Sequence, residues 1–231
     1  MKNVIHLEDF KNIINEYEYD YIFTSPPDFE EIGTDPGNPE KYQEFLLDVF
    51  GRANPRKKII TVAFTDRKFN GTIVPKSSIL KHSMLAIGYK LLSHKIWVKS
   101  TKIDMFRLTY GNVLTFGKGK VKQNMNKEFK PDVWLDGRGK YKKYPYGMPV
   151  DVPRKCILNY TQEGDIVYDP FMGSGTTAIA AIRTNRDYMG SELNSSYWKL
   201  CNDRISEETT NLDGFLDGNS YNKTTTNVAR E

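Results

Sequence analysis

Hydrophobic residues recur along the chain in two periods that predict strands and helices in alternation. Short β-branched or aromatic runs predict buried strands, and apolar residues three or four positions apart predict amphipathic helices. The predicted strands cover residues 4–7, 19–23, 59–64, 91–98, 113–116, 166–168 and 187–191. The predicted helices cover residues 9–15, a segment containing 42–50, 77–87, 154–160, 174–183 and 195–205. This alternation predicts an α/β fold with a doubly wound, mostly parallel, Rossmann-like sheet that binds ligands beyond its carboxyl edge.

Two segments do not follow these periods. Residues 118–146 are rich in Lys and Gly and show no sustained period, which predicts a small, basic, loop-rich insertion. From Ser206 onward the chain is mostly Asn, Thr, Asp and Gly, which predicts a flexible polar tail. The sequence therefore predicts one catalytic domain over residues 1–205, with the insertion at 118–147, and a tail over 206–231.

Composition narrows the class of protein. With 39% hydrophobic and 13% aromatic residues, the 231-residue chain is too apolar for a disordered protein and long enough for a substantial core. It has no apolar run of membrane-spanning length and no signal-peptide pattern at its start, which predicts an intracellular, cytoplasmic protein without a membrane partner. Cys156 and Cys201 lack metal-ligand spacing, so neither a metal site nor a disulfide framework is expected.

Charge is distributed unevenly along the chain. Residues 1–50 contain twelve Asp or Glu against three Lys, a balance of −9. Residues 95–143 contain thirteen Lys or Arg against four Asp or Glu, a balance of +9. A basic stretch is often only a solvated surface, but beside the motifs below it favours contact with nucleic acid.

The loop Asp169-Pro-Phe-Met-Gly-Ser-Gly-Thr-Thr177 has the features of a cofactor site. Glycines at 173 and 175 allow close approach of a ligand, and the next helix begins with free N–H groups that suit a carboxylate. Asp169 at the strand end could pair with a cationic amine, and Glu192 after the next strand could accept hydrogen bonds from ribose hydroxyls. An amine, a carboxylate and a ribose together describe S-adenosylmethionine. The Gly-Lys-Ser/Thr of a phosphate loop is missing.

The run from Gly164 to Ile205 closely resembles the cofactor-binding half of the DNA amino-methyltransferases, in which DPFxGSGTT is followed by a strand and GxEL. The resemblance implies the fold of the S-adenosylmethionine-dependent methyltransferases. It also implies a cofactor site formed by Asp169, Phe171, Gly173, Ser174, Gly175, Thr176, Glu192 and Leu193. For Phe171 the alternative is a packing role in the core.

In the same family the catalytic loop is (Asp/Asn/Ser)-Pro-Pro-(Tyr/Phe/Trp) at the end of a strand. Here the strand 19–23 runs into Thr24-Ser25-Pro26-Pro27-Asp28-Phe29, where two prolines must end it in a rigid loop. A base amine attacks a methyl sulfonium well when acceptors hold its hydrogens, and Ser25 Oγ and the Pro26 carbonyl can do this. The resemblance therefore implies catalytic roles for the loop residues Ser25, Pro26, Pro27, Asp28 and Phe29.

Asp28 departs from the family pattern, because the residue after the prolines is normally an aromatic that stacks on the flipped base. Three interpretations are open: Phe29 or another aromatic stacks instead, Asp28 contacts an unusual base, or the protein has lost activity. The intact Ser-Pro-Pro and cofactor loops favour retained activity. A second departure is Tyr110-Gly111-Asn112, where the family commonly has a Glu.

The catalytic loop precedes the cofactor loop, an order that resembles the circularly permuted beta subgroup, and the resemblance covers about residues 4–205. The basic segment then takes the place of the target-recognition region, with Lys and Arg for phosphates and Trp134 or Tyr141 for base contacts. Its candidate residues are Lys118, Lys120, Lys122, Trp134, Arg138, Lys140, Lys142 and Lys143. Because this region is short, specificity should be limited or shared with a second subunit, as in a homodimer.

The resemblance implies methyl transfer from S-adenosylmethionine to the exocyclic amine of a DNA base that is flipped out of a duplex. The serine form of the loop favours cytosine N4 over adenine N6. An RNA base-amine methyltransferase and a catalytically silent binding subunit are the alternatives. The methyl-transfer hypothesis requires that Ser25 and Asp169 lie on neighbouring strand tips and face one cleft.

Overall fold

The computed structural model describes residues 2–100, 108–137 and 147–218, with side chains as far as Thr210. The strands are β1 Val4–Leu7, β2 Tyr21–Thr24, β3 Ile59–Phe64, β4 Arg67–Phe69, β5 Thr72–Val74, β6 Lys90–Val98, β7 Tyr110–Gly117, β8 Val133–Trp134, β9 Ile166–Asp169 and β10 Asp187–Glu192. The helices are α1 Phe10–Ile13, α2 Pro39–Arg52, α3 Lys76–Ala86, α4 Asp151–Tyr160, α5 Thr176–Ile182 and α6 Ser195–Gly218.

Eight strands form one sheet in the order β1-β10-β9-β2-β3-β7-β6-β8. The five strands from β1 to β3 pair in parallel, whereas β7 runs antiparallel to both of its neighbours. The predicted mostly parallel sheet is therefore confirmed, with β7 as the reversed strand. This order places β2, which carries the predicted catalytic loop, directly beside β9, which carries the predicted cofactor loop.

Helices cover both faces of this sheet. Along β2, Tyr21 and Phe23 belong to the cluster that contains residues of α4, α5 and α6, while Ile22 between them belongs to the cluster formed with α1, α2 and α3. Successive side chains of a strand point to opposite faces, so β2 is buried from both sides. All four of its residues are buried, as are all six of β3. The doubly wound arrangement expected from the sequence is confirmed.

The structure adds elements that the periodicity did not predict. The β4–β5 hairpin turns at Asn70 and Gly71, which have φ of 47° and 76°, the left-handed backbone of a tight two-residue turn. The segment 118–137, predicted as loop-rich, contains β8 and places Phe129 in the core. Both elements are too short for a period to be visible.

Helix α6 is longer than predicted. The sequence prediction ended it at Ile205, but the helix continues to Gly218. Arg183 Nε donates to Glu208 Oε1 at 2.6 Å, an ion pair that ties the added turns to the residue following α5. The polar composition that indicated a tail is therefore, in part, the solvent face of a helix. Residues 219–231 lie outside the described part of the chain, and the flexibility of the tail stays a prediction.

Among the described residues, no helix has both the length and the apolar character needed to cross a bilayer. The described part of the chain also contains no cluster of three or more His, Cys, Asp or Glu arranged to hold a metal ion.

Candidate active site

The two predicted loops leave neighbouring strand tips and are joined by a hydrogen bond. Tyr21 of β2 pairs with Val167 of β9, so both strands end at the same edge of the sheet. At that edge Thr24 Oγ1 donates to Asp169 Oδ1 at 2.6 Å. Because Ser25 directly follows Thr24, the prediction that Ser25 and Asp169 lie on neighbouring strand tips is confirmed.

Asp169 is the buried centre of this junction, with only 3% of the residue exposed. Besides Thr24, its carboxylate accepts hydrogen bonds from Thr177 Oγ1 at 2.6 Å and from the Phe171 N–H at 3.0 Å. Burial raises the pKa of Asp169 to about 6, because removing a carboxylate from water penalises its charged form more than these hydrogen bonds favour it. The carboxylate thus links the catalytic strand, the cofactor loop and the first turn of α5.

The two loop glycines serve different purposes. Gly175 has φ of 83°, and a Cβ there would lie 2.6 Å from Cys201 Sγ, so this glycine lets the loop pack against α6. Gly173 has φ of 53°, and a Cβ there would meet nothing closer than the Phe171 carbonyl oxygen at 3.8 Å. The loop therefore has an open side at Gly173, where a ligand can approach the backbone.

Glu192, at the end of β10, closes the other side of the cofactor loop. Its Oε2 accepts from the Gly173 N–H at 2.8 Å and its Oε1 accepts from the Asn194 N–H at 2.9 Å. Each carboxylate oxygen has a second lone pair, so ribose hydroxyls can still donate to this side chain. Leu193, next in the chain, is 72% exposed and offers an apolar surface beside the acid.

Three other predicted cofactor residues have structural partners. Ser174 and Thr176 are buried, and Arg204 Nη1 donates to Ser174 Oγ at 3.0 Å and to Thr176 Oγ1 at 3.4 Å. The partly buried ring of Phe171 packs near Phe10 and Phe45, with centroid distances of 5.3 and 5.6 Å. These contacts agree with the packing alternative for Phe171.

The arrangement fits S-adenosylmethionine on chemical grounds. An open glycine backbone, an acid with free lone pairs and an exposed leucine follow one another along the edge formed by Gly173, Glu192 and Leu193. We expect ribose hydroxyls to donate to Glu192 and an adenine to lie on Leu193. The Gly173 N–H already donates to Glu192, so Gly173 contributes room for a ligand to approach. Asp169 lies under the same loop and supplies negative charge close to where a cationic ligand would bind.

The catalytic loop exposes its serine and buries what surrounds it. Ser25 is exposed directly after the four buried residues of β2, whereas Pro26 is buried. Among the described residues, Ser25 Oγ has no hydrogen-bond partner, so it is available to accept a substrate hydrogen. The Pro27 carbonyl accepts a hydrogen bond from Tyr42 Oη at 3.0 Å, which fixes the loop on α2.

The next two residues of the loop face the protein. Phe29 is fully buried and lies against Tyr42, with ring centroids 4.4 Å apart. The interpretation in which Phe29 stacks on the base is therefore wrong for this structure, because neither face of its ring is available. The Asp28 carboxylate lies 3.2 Å from Lys76 Nζ, so it too has a partner within the protein.

The predicted nucleic-acid residues divide into three groups. Lys120 and Lys122 are exposed, and Lys118 Nζ lies 4.3 Å from the centroid of the Tyr89 ring. Trp134 is only 2% exposed and packs against Phe129, so the prediction that it contacts bases is wrong. Strand β8 turns Trp134 inward and leaves its neighbour exposed. The other base-contact candidate, Tyr141, lies outside the described residues, as do Arg138, Lys140, Lys142 and Lys143.

Asn112 in β7, where the family commonly has a Glu nearby, is buried and belongs to a partly buried polar network. Its side chain shares a hydrogen bond with His94 Nε2 at 2.8 Å and donates to Asp66 Oδ2 at 3.3 Å. Asp66 also accepts from the Ser77 N–H at 2.7 Å at the start of α3. Asn112 therefore joins the central strands to α3.

Sequence reasoning missed four residues that build the site: Thr24, Lys76, Cys201 and Arg204. Thr24 adjoins the catalytic serine at a strand end, which was a usable signal. Lys76, Cys201 and Arg204 lie in other elements, and only the folded chain brings them to the loops.

Comparison with known proteins agrees with this geometry. The N6_N4_Mtase family, described as DNA methylase, matches residues 19–203. The Type II methyltransferase M2.LlaDCHI of Lactococcus lactis subsp. cremoris is 25% identical over 248 residues, covering 90% of each chain. The orphan methyltransferase M.BamHII of Bacillus amyloliquefaciens is 42% identical over 94 residues, covering 36% of each chain.

Two solved structures share the fold. The PvuII DNA methyltransferase, specific for cytosine N4, has a TM-score of 0.75 at 16% identity, covering 92% of this chain and 93% of its own. TTHA0409 of Thermus thermophilus, solved with S-adenosylmethionine, has a TM-score of 0.69 at 22% identity, covering 88% of this chain and 93% of its own.

The family match spans well over half of the chain and includes both loops. The resemblance to the DNA amino-methyltransferases is confirmed, and so is S-adenosylmethionine as the cofactor. The circularly permuted order stays a prediction. The chain belongs to the N6_N4_Mtase family of DNA methylases and is an S-adenosylmethionine-dependent DNA methyltransferase.

Proposed function

We propose that this methyltransferase modifies the exocyclic amine of a base flipped out of duplex DNA, with cytosine N4 preferred over adenine N6. The observation that carries the proposal is the hydrogen bond from Thr24 to Asp169, which holds the catalytic and cofactor strand tips side by side. A methyl donor bound along the Gly173 to Leu193 edge would then face the exposed Ser25. Such proximity converts a bimolecular reaction into an effectively intramolecular one.

In the proposed reaction Ser25 Oγ and the Pro26 carbonyl accept hydrogen bonds from the two amine hydrogens. This draws the nitrogen lone pair out of conjugation with the ring, so that it can attack. Bound S-adenosylmethionine supplies an electrophilic methyl group on a positively charged sulfur. The new nitrogen–carbon bond forms as the carbon–sulfur bond breaks, and the extra proton then leaves from the amine to solvent. No strong base is required, because the methylated amine is acidic until that proton departs.

The preference for cytosine N4 rests on Ser25 as the first residue of the loop. A serine hydroxyl is neutral and can both donate and accept, whereas the Asp of other loops in the family only accepts when ionised. The fold neighbour PvuII methyltransferase is itself specific for cytosine N4. Lys120 and Lys122, both exposed, would contribute phosphate contacts outside the cleft.

The test is nucleoside mass spectrometry after incubation of the protein with isotope-labelled cofactor and each of three substrates. These are duplex DNA of mixed sequence, single-stranded DNA and single-stranded RNA. We expect labelled N4-methyldeoxycytidine from duplex DNA. Labelled N6-methyladenine would reverse the base preference, and label in RNA alone would favour the RNA alternative. No label in any nucleoside would favour a silent subunit.

A further inference from the structure

The catalytic loop is fastened to the protein by an ion pair between Asp28 and Lys76. Lys76 Nζ lies 3.2 Å from Asp28 Oδ1, and the lysine side chain is 4% exposed. Arg67 approaches the same carboxylate, with Nη1 3.9 Å from Oδ2. Asp28 therefore faces two cations of its own chain, one at the start of α3 and one on β4.

The surroundings of Lys76 make Asp28 difficult to replace. The ammonium lies 6.0 Å from the centroid of Phe29 and 5.7 Å from those of Tyr42 and Phe64. Ring faces attract a cation, but they do not compensate for the loss of water around a buried charge. Among the described residues, Asp28 is the carboxylate within ion-pair distance of Lys76. Removing it would leave a buried ammonium without a counter-ion.

This ion pair acts on the segment next to the catalytic serine. Asp28 Oδ1 also accepts from the Phe29 N–H at 2.9 Å, and the adjoining Pro27 carbonyl is held by Tyr42. Two prolines separate Asp28 from Ser25, and their fixed φ angles transmit the position of Asp28 along the loop. A shift at Asp28 would therefore move Ser25 Oγ and the Pro26 carbonyl.

We propose that Asp28 is a positioning residue for methyl transfer, which holds the Ser25-Pro26-Pro27 loop through Lys76 and does not contact the base. This inference deepens the proposed function and rests on it. It accounts for the acid at a position where an aromatic was expected: a ring at residue 28 would leave Lys76 unpaired. The interpretation in which Asp28 reads an unusual base is the competing account.

The test compares Asp28→Asn, Lys76→Met and the double variant, with kcat, KM for DNA and the Kd of the cofactor measured for each. Each single change should lower kcat by about tenfold or more, while KM and Kd stay within about threefold, because the acceptors move but the binding surfaces remain. The double variant should be no worse than the worse single variant, since it leaves no unpaired buried charge.

Three further variants serve as controls. Glu30→Gln removes a more exposed acid of the same loop that binds Arg67, and it should leave kcat near that of the wild type. Lys76→Arg keeps the charge and should retain most of kcat, which guards against a failure of Lys76→Met to fold. Asp28→Tyr supplies the aromatic of the family pattern and should lower kcat as Asp28→Asn does.

A higher kcat in Asp28→Tyr would overturn the proposal. A second contrary result concerns the substrate. If Asp28→Asn changed the base preference or the KM for DNA while Lys76→Met changed neither, Asp28 would contact the substrate. Hydrogen exchange of residues 24–31 needs no methyl transfer and should be faster in both single variants. If the wild type methylates nothing, the proposed function fails, but faster hydrogen exchange in the variants would still support the ion pair. If the wild type and both single variants exchange at the same rate, the positioning role is rejected.

Discussion

The cofactor loop and the catalytic loop leave adjacent strands, but they are held in place differently. In the cofactor loop Asp169 is bonded by Thr177 and Phe171, and Gly173 by Glu192, all within 24 residues of one another. The catalytic loop is held by Tyr42 and Lys76, which lie on α2 and α3. The first loop is thus bonded mainly within its own βαβ segment and packs on the next helix, α6. The second is anchored on two separate helices, and Lys76 lies 48 residues from Asp28.

This difference predicts that chemistry and cofactor binding can be separated by mutation. Ser25→Ala removes an exposed hydroxyl that has no partner among the described residues, so the fold should be unaffected. We expect kcat to fall by about a hundredfold to a thousandfold, the usual loss when one preorganised hydrogen-bonding group at the reacting centre is removed. Single-turnover methylation measures this loss, and calorimetry with S-adenosylmethionine should return a Kd close to that of the wild type.

Equal losses in turnover and in cofactor affinity would contradict the separation, because they would place Ser25 in the cofactor site. Ser78→Ala on α3 is a suitable control, since Ser78 is also exposed and its hydroxyl has no hydrogen-bond partner among the described residues. It should change neither quantity.

The second prediction concerns the internal packing of the cofactor loop. Gly175→Ala combines a left-handed φ with a contact of 2.6 Å to Cys201 Sγ. We expect a stability loss of roughly 2 to 3 kcal/mol and weaker cofactor binding, because both strain and overpacking act on the loop. Thermal unfolding with and without cofactor measures both effects.

Gly164→Ala separates the two causes. Gly164 also has a positive φ, of 78°, but a Cβ there would meet nothing within 4 Å. This variant should lose roughly 1 kcal/mol from backbone strain alone and bind the cofactor normally. If the two variants were equally stable, the contact with Cys201 would have no part in shaping the loop.

The same contrast explains how much could be read from the sequence. Strand β3 and the sheet position of both loops were predicted, because hydrophobic period and the Gly and Pro signals are local. The partners of Asp28 could not be predicted, since Lys76 lies 48 residues away and reads as an ordinary helix position. Trp134 and Phe29 were assigned to substrate contacts. In sequence, an aromatic residue that faces a ligand cannot be distinguished from one that faces the core. Only packing distinguishes the two.

The smallest of the expected effects comes from the charge of Asp169. The side chain of this residue joins the two loops. Its pKa is raised to about 6, above the ordinary 3.8, because the carboxylate is buried. Between about pH 4 and pH 6 the folded state therefore holds more protons than the unfolded state. Without cofactor, this group makes the fold more stable as the pH falls from 6 to 4.

Cofactor binding should respond in the opposite direction. A positively charged ligand favours the ionised carboxylate, so its affinity should fall as Asp169 takes up a proton, by about tenfold between pH 7 and pH 5. Calorimetric titration with S-adenosylmethionine across that range measures the slope. Asp169→Asn should bind the cofactor more weakly at pH 7, and its affinity should not depend on pH in this way. Any pH dependence that remains in the variant measures titration of the cofactor itself. If the wild type and the variant had the same slope, the charge of Asp169 would not reach the ligand, and its carboxylate would serve only to join Thr24 to Thr177.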